Sequence, residues 1–152
     1  MIITIAGSPG VGKREVGRAL ASRLGFRFLD VAGLRLSLAR ERGLLDEDTE
    51  HFLTDQEIDE YIEELSATYE NLVIASRFAH MFVRDAFKVR IDRSIENARS
   101  EEDRERGMRF YGGDPHDPNR FDLALDVSSL DHDRIVELLE SMILPLVRRK
   151  DA

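Results

Sequence analysis

The chain has 152 residues, 42% of them apolar, with no cysteine and a formal net charge of −8. That is enough for one domain with a real core. It excludes disulfide scaffolds, thiol catalysis and cysteine-based zinc sites, and it argues against broad non-specific nucleic-acid binding.

No run of about eighteen apolar residues exists, so nothing is expected to span a bilayer. The start of the chain lacks a basic flank, so no signal peptide is expected and a cytoplasmic location is the default. Nineteen basic residues are arginine and only Lys13, Lys88 and Lys150 are lysine. A lysine kept in such a chain invites a chemical reason.

In chain order, Ile2 to Ala6 is β-branched and apolar and runs into a glycine-rich turn, the pattern of a buried strand. Val16, Ala19, Leu20 and Leu24 recur at helical spacing from Lys13 to Leu24, and Gly25 supplies a C-cap. Phe26 to Asp30 reads as a second strand, and Leu34 to Arg42 as a helix ended by Gly43. Thr54 and Glu57 have capping-box spacing ahead of the stripe Ile58, Tyr61, Ile62, Leu65. Asn71 to Ala75 is a third strand, and Phe87, Val89 and Ile91 alternate as a fourth. Ser94 to Tyr111 is mostly charged, an exposed helix or lid. Asp122 to Asp126 is a fifth strand. Asp131 caps a last helix carrying Ile135, Leu138, Leu139, Met142, Ile143 and Leu146, where Pro145 is expected to kink or fray the final turn. Strands apolar on both faces, alternating with helices, give an α/β fold: a parallel sheet covered on two sides.

Gly7-Ser8-Pro9-Gly10-Val11-Gly12-Lys13 fits G-x-x-x-x-G-K between the first strand and first helix, the context that motif requires. Glycines let backbone N–H groups turn inward on a phosphate, and the helix N-terminus adds its dipole. Lys13 supplies a mobile charge for the β- and γ-phosphates of a nucleoside triphosphate. The hydroxyl residue that normally follows, a Mg²⁺ ligand, is replaced by Arg14, with Glu15 behind it; arginine only donates. Arg14 is therefore expected to point to solvent or to replace part of the metal's charge. No protein-held metal is expected; Mg²⁺ would arrive on ATP. The histidines stand alone in sequence, and His116 between Asp114 and Asp117 reads as a polar turn rather than a metal site.

These residues resemble the cytidylate kinase family, especially its compact archaeal-type members. Leu38 to Gly43 is similar to the family's L-A-K-E-R-G, Asp55 to Asp59 to its D-P-E-I-D, Ser76-Arg77 to its G-R, and Tyr111 to Asp114 with Phe121 to Leu123 to its Y-G-I-D and Y-D-L. Arg99, Asp103 and Arg106 match its R-x-x-x-D-x-x-R, offsets that place all three on one helical face. The resemblance implies one P-loop kinase-like domain over residues 1–152, with strand order 2-3-1-4-5 and a reduced lid around 93–111. It implies a monomer that moves a phosphoryl group from ATP to CMP or dCMP, with no nucleic acid or membrane partner. Lys13, Arg99 and Arg106 would be catalytic, and Arg77, Arg99 and Asp103 would hold the acceptor.

The chain departs from the family at Val31, Ala32 and Leu36, where acceptor-phosphate ligands are usual. Arg35 is one place off and expected to point about 100° away. The lid is also shortened. Two other readings stay open: a catalytically impaired nucleotide-binding relative, and a small-metabolite kinase on a similar fold.

Overall fold

The computed structural model describes residues 1–8, 10–43, 55–93 and 101–150. Five strands, β1 (Ile2–Ala6), β2 (Arg27–Asp30), β3 (Leu72–Ala75), β4 (Ala86–Asp92) and β5 (Leu123–Asp126), form one sheet in the order β2-β3-β1-β4-β5. Every pairing is parallel, with Ile2 opposite both Leu72 and Ala86. Among the described residues, helices α1 (Lys13–Leu24), α2 (Val31–Glu41), α3 (Asp55–Thr68), the short α4 (Ala79–Phe82) and α5 (Glu101–Tyr111) lie between strands, and α6 (His132–Lys150) follows the last one. A 3₁₀ turn at Pro118–Arg120 precedes β5. The expected strand order is the one found.

Alternation explains the two-sided core. On one face Ile3, Ile5, Val73, Val89 and Ile91 meet Val16 and Leu20 of α1 and Ile135, Leu139 and Ile143 of α6. On the other, Ile2, Leu72 and Ile74 meet Ile58 and Ile62 of α3 and Ala79 of α4. The central strands β1 and β3 are buried along their whole length. Edge strand β5 alternates half-buried Leu123 and Leu125 with exposed Ala124 and Asp126, so the expectation of strands apolar on both faces fails there. An edge strand has solvent on one flank and here on part of one face.

Several local expectations need adjustment. Helix α2 begins at Val31, directly after β2, three residues earlier than the periodicity suggested. The last helix does not fray at Pro145 but continues to Lys150. Asp131 caps it as expected, accepting from the Arg134 N–H at 2.9 Å. Thr54 lies outside the described residues, and Glu57 stands in the first turn of α3. Helix α4, at four residues, is too short to carry a periodicity in the sequence. Its start is set by Ser76 Oγ, which accepts from the N–H groups of Phe78 and Ala79, each at 3.2 Å.

His80 of α4 is buried against Phe121, and its Nε2 lies 2.9 Å from the Pro115 carbonyl. A carbonyl only accepts, so Nε2 carries the proton and Nδ1 stays bare, with no partner among the described residues. Burial lowers the imidazole's pKa to about 4, against the hydrogen bond to Pro115 and helped by Lys88, Arg90 and Arg120. The unfolded chain therefore takes up this proton first as pH falls. The neutral, buried His80 contributes its full stability above about 6.5 and loses it as pH drops through 6.5 to 4, on the order of 3 kcal/mol. Asp59 acts oppositely, because burial raises its carboxyl to about 6. The measurement is therefore a difference: in urea titrations, the stability gap between the wild type and His80→Gln should shrink as pH goes from 7 to 4. A gap independent of pH would mean His80 titrates as an ordinary histidine.

Candidate functional site

The phosphate loop leaves β1 at the C-terminal edge of the sheet, where ligands bind in folds of this kind. Gly7 is required by space: a Cβ there would fall 2.2 Å from the Ile91 carbonyl oxygen. Gly12 is required twice, by a left-handed φ of 93° and by the His132 ring, whose Nε2 would lie 2.2 Å from an added Cβ. Asp92 Oδ1 accepts from the Ser8 N–H at 3.1 Å, and Asp92 is itself held by Arg90 at 2.5 Å. This buried pair sits on β4 behind the loop and was not visible in the alternation of Phe87, Val89 and Ile91. Pro9 lies outside the described residues.

Lys13 opens α1, with Nζ 3.3 Å from the Gly7 carbonyl oxygen. Burial, and next to it the charge of Arg77, lower its pKa. An anion arriving in front of it would reverse that.

Beyond Lys13 lies a cleft of about 620 Å³, lined by Gly10, Gly12, Arg14 and Glu15 from the loop and α1, and by residues of four other elements. These include Asp30 and Val31 at the β2–α2 junction and Arg35 on α2, Asp55 and Asp59 on α3, Arg77 and Phe78 after β3, and Arg106 and Tyr111 on α5. Four arginines on its walls are paired with carboxylates. Arg14 Nε lies 2.8 Å from Asp30, Arg35 lies 2.7 Å from Asp55, Arg106 donates to the same Asp55, and Arg77 lies 2.9 Å from Asp103. Burial alone would raise the Asp55 carboxyl, but hydrogen bonds from Arg35 and Arg106 outweigh it and hold it below the usual carboxylate range. One turn further along α3, Tyr111 donates its hydroxyl to Asp59 Oδ2.

The structure thus brings Lys13, Arg77, Asp103 and Arg106 to one end of the fold. Arg99 lies outside the described residues. One expectation is corrected and one is made more specific. Arg14 is exposed, its side chain 56% accessible, and its Nε pairs with Asp30 at 2.8 Å. Arg35 does not turn away: it lines the cleft and reaches Asp55 beside Arg106, because a long side chain in the second turn of α2 spans what a 100° offset per residue would deny it. Asp103, expected to hold the acceptor, accepts from Arg77 at 2.9 Å. Asp114 and Asp117 accept from the N–H groups of His116 and Asn119, so both carboxylates of that loop serve turns.

A protein-held Mg²⁺ does not fit this loop. The residue after the lysine only donates, Asp30 is paired with Arg14, and Asp92 beside the loop is paired with Arg90. Among the described residues no group of three or more histidine and carboxylate side chains is arranged to hold a metal. No helix among them is long and apolar enough to cross a membrane.

Curated proteins similar to this chain fall in one family, and similar solved structures share its fold. A family model described as an AAA domain matches residues 3–109. Among curated proteins, cytidylate kinase of Saccharolobus islandicus is 30% identical, covering 91% of this chain and 88% of the relative. Cytidylate kinase of Sulfurisphaera tokodaii is 26% identical, covering 94% and 95%. Among solved structures, shikimate kinase from Acinetobacter baumannii in complex with shikimate superposes with a TM-score of 0.64 at 16% identity, covering 95% of this chain and 93% of that one. That likeness speaks for the fold alone.

Proposed function

The chain belongs to the cytidylate kinase family, and from that premise we propose that it is an ATP-dependent nucleoside monophosphate kinase, transferring the γ-phosphoryl group of ATP to CMP or dCMP. The observation that supports this most is the gathering of Lys13, Arg35, Arg77 and Arg106 around one cleft that opens from the phosphate loop. The loop N–H groups and Lys13 would hold the donor's β- and γ-phosphates. Arg35 and Arg106 would leave Asp55 for the acceptor's phosphate, exchanging one anion for another. Arg77, held by Asp103, would face the transferring group.

The bond between the γ-phosphorus and the β–γ bridging oxygen breaks, ADP leaves with its electron pair, and an acceptor phosphate oxygen takes the phosphoryl group. That oxygen is already ionised, so no general base is needed. The demand is for positioning and charge, which these arginines supply. A coupled assay of ADP release with the four common nucleoside monophosphates tests this. Turnover with CMP is expected. ATP binding without turnover on any of the four would instead favour a nucleotide-binding relative that has lost catalysis, the reading motivated by Arg14 sitting on Asp30 where a metal ligand is usual.

Arg14→Ser offers a separate check. Mg²⁺ commonly keeps several waters and can ride on phosphate oxygens, so the wild type should bind ATP with only a modest difference between Mg²⁺ and EDTA. Restoring a hydroxyl should widen that difference. Loss of a partly exposed ion pair should cost no more than about 1 kcal/mol of fold stability. Calorimetry reads both; an unchanged Mg²⁺ dependence would show that position 14 does not govern metal use.

A further inference from the structure

Resting on the acceptor reading above, we infer that Asp59 selects the acceptor base: its carboxylate accepts a hydrogen bond from an exocyclic amino group, so the cleft takes cytosine and rejects uracil. The first observation is placement. Asp55 and Asp59 are four residues apart on α3, so they share one face, and both line the cleft. Asp55 lies between Arg35 and Arg106, at the phosphate end. Asp59 is one helical turn on, a rise of about 6 Å, the direction in which a nucleoside extends from its phosphate.

The second observation is hydrogen-bonding capacity. Among the described residues, Tyr111 is the hydrogen-bond partner of Asp59, and it fills Oδ2. An ionised carboxylate accepts at both oxygens and donates at neither, so Oδ1 retains capacity for an incoming N–H. Burial pushes this carboxyl up to about 6, which still leaves it ionised at pH 8.

The third observation is a surface for a flat ring. Phe78 and Tyr111 both line the cleft, their ring centres are 5.6 Å apart, and Phe82 stacks behind Tyr111 at 5.7 Å. Phe78 is buried and already covered by the guanidinium groups of Arg77 and Arg106 at 5.5 and 5.4 Å, so the half-buried Tyr111 ring offers the more open face. Aromatic faces hold any base by stacking and carry little sequence preference, so discrimination falls to the polar group beside them. Cytosine presents a 4-amino donor where uracil presents a 4-oxo acceptor. Uracil there would set two acceptors against each other in a half-buried site, a mismatch that rejects far more strongly than a missing methylene does.

The test measures kcat/KM for CMP and UMP at pH 8 with saturating ATP, in the wild type, Asp59→Asn and Tyr111→Phe. The wild type should favour CMP by about 100-fold or more. Asp59→Asn can donate or accept, and should bring the ratio within about 10-fold, chiefly by raising the UMP value, with the KM for ATP unmoved. Tyr111→Phe keeps the carboxylate and should keep the preference, which separates loss of the carboxylate from disturbance of the α3–α5 contact. Where turnover is too slow, the same ratios are read by calorimetry with a non-hydrolysable ATP analogue. A wild type indifferent between CMP and UMP, or an Asp59→Asn ratio equal to the parent's, overturns the assignment while leaving the acceptor reading standing. A chain that neither binds nor phosphorylates any nucleoside monophosphate overturns both.

Discussion

Lys13→Ala should reduce phosphoryl transfer by ~10²–10³-fold, the scale seen when one preorganised charge donor is removed from a transfer site. It should do so without harming the fold. Lys13 contributes nothing to either hydrophobic cluster, and it stands partly desolvated beside Arg77, an arrangement that only an anion relieves. Removing an ammonium held in that way costs the ligand-free protein little. The measurements are turnover, ATP affinity by calorimetry, and thermal unfolding without ligand. A variant that binds and turns over ATP like its parent would mean the loop is a glycine turn and nothing more.

Arg106→Met should raise the KM for CMP by roughly 10- to 150-fold, the equivalent of about 1.5–3 kcal/mol for a charge-assisted bond, while the KM for ATP changes little. Methionine preserves much of the apolar stem that packs near Phe78, so the loss is one of charge rather than of packing. Arg35→Met should act in the same direction. Because both guanidinium groups share Asp55, the double variant should fall short of the sum of the two single effects. Unchanged CMP affinity in Arg106→Met would remove α5 from the acceptor site.

These two residues also mark how far the sequence could be read. The loop around Lys13 was legible because everything that defines it is local: a buried strand, glycines and a lysine within thirteen residues. The sheet order followed from the resemblance, and the strands from their own apolar runs. Arg106 was legible through its spacing with Asp103. Its partner was not, since Asp55 is 51 residues away and nothing local announces that a carboxylate on α3 will bridge α2 and α5. Arg35 was misjudged for a related reason. A phase argument along one helix cannot include the neighbouring helix that comes to meet it. Asp59 and Tyr111 both fall within family-like motifs, yet their pairing across 52 residues appears only once α3 and α5 are packed. Arg90 and Asp92 were hidden because an apolar alternation draws the eye to the other face of β4.

The central claim is that one cleft holds two nucleotides with their phosphates facing each other. A crystal structure with a non-hydrolysable ATP analogue and CMP tests it most directly. The expected result has the donor's phosphates wrapped by residues 7–13, the CMP phosphate on Arg35 and Arg106 with Asp55 displaced, and the γ-phosphorus in line with a CMP oxygen near Arg77. A complex in which Arg35 and Arg106 remain on Asp55 and no second nucleotide enters the cleft would contradict it.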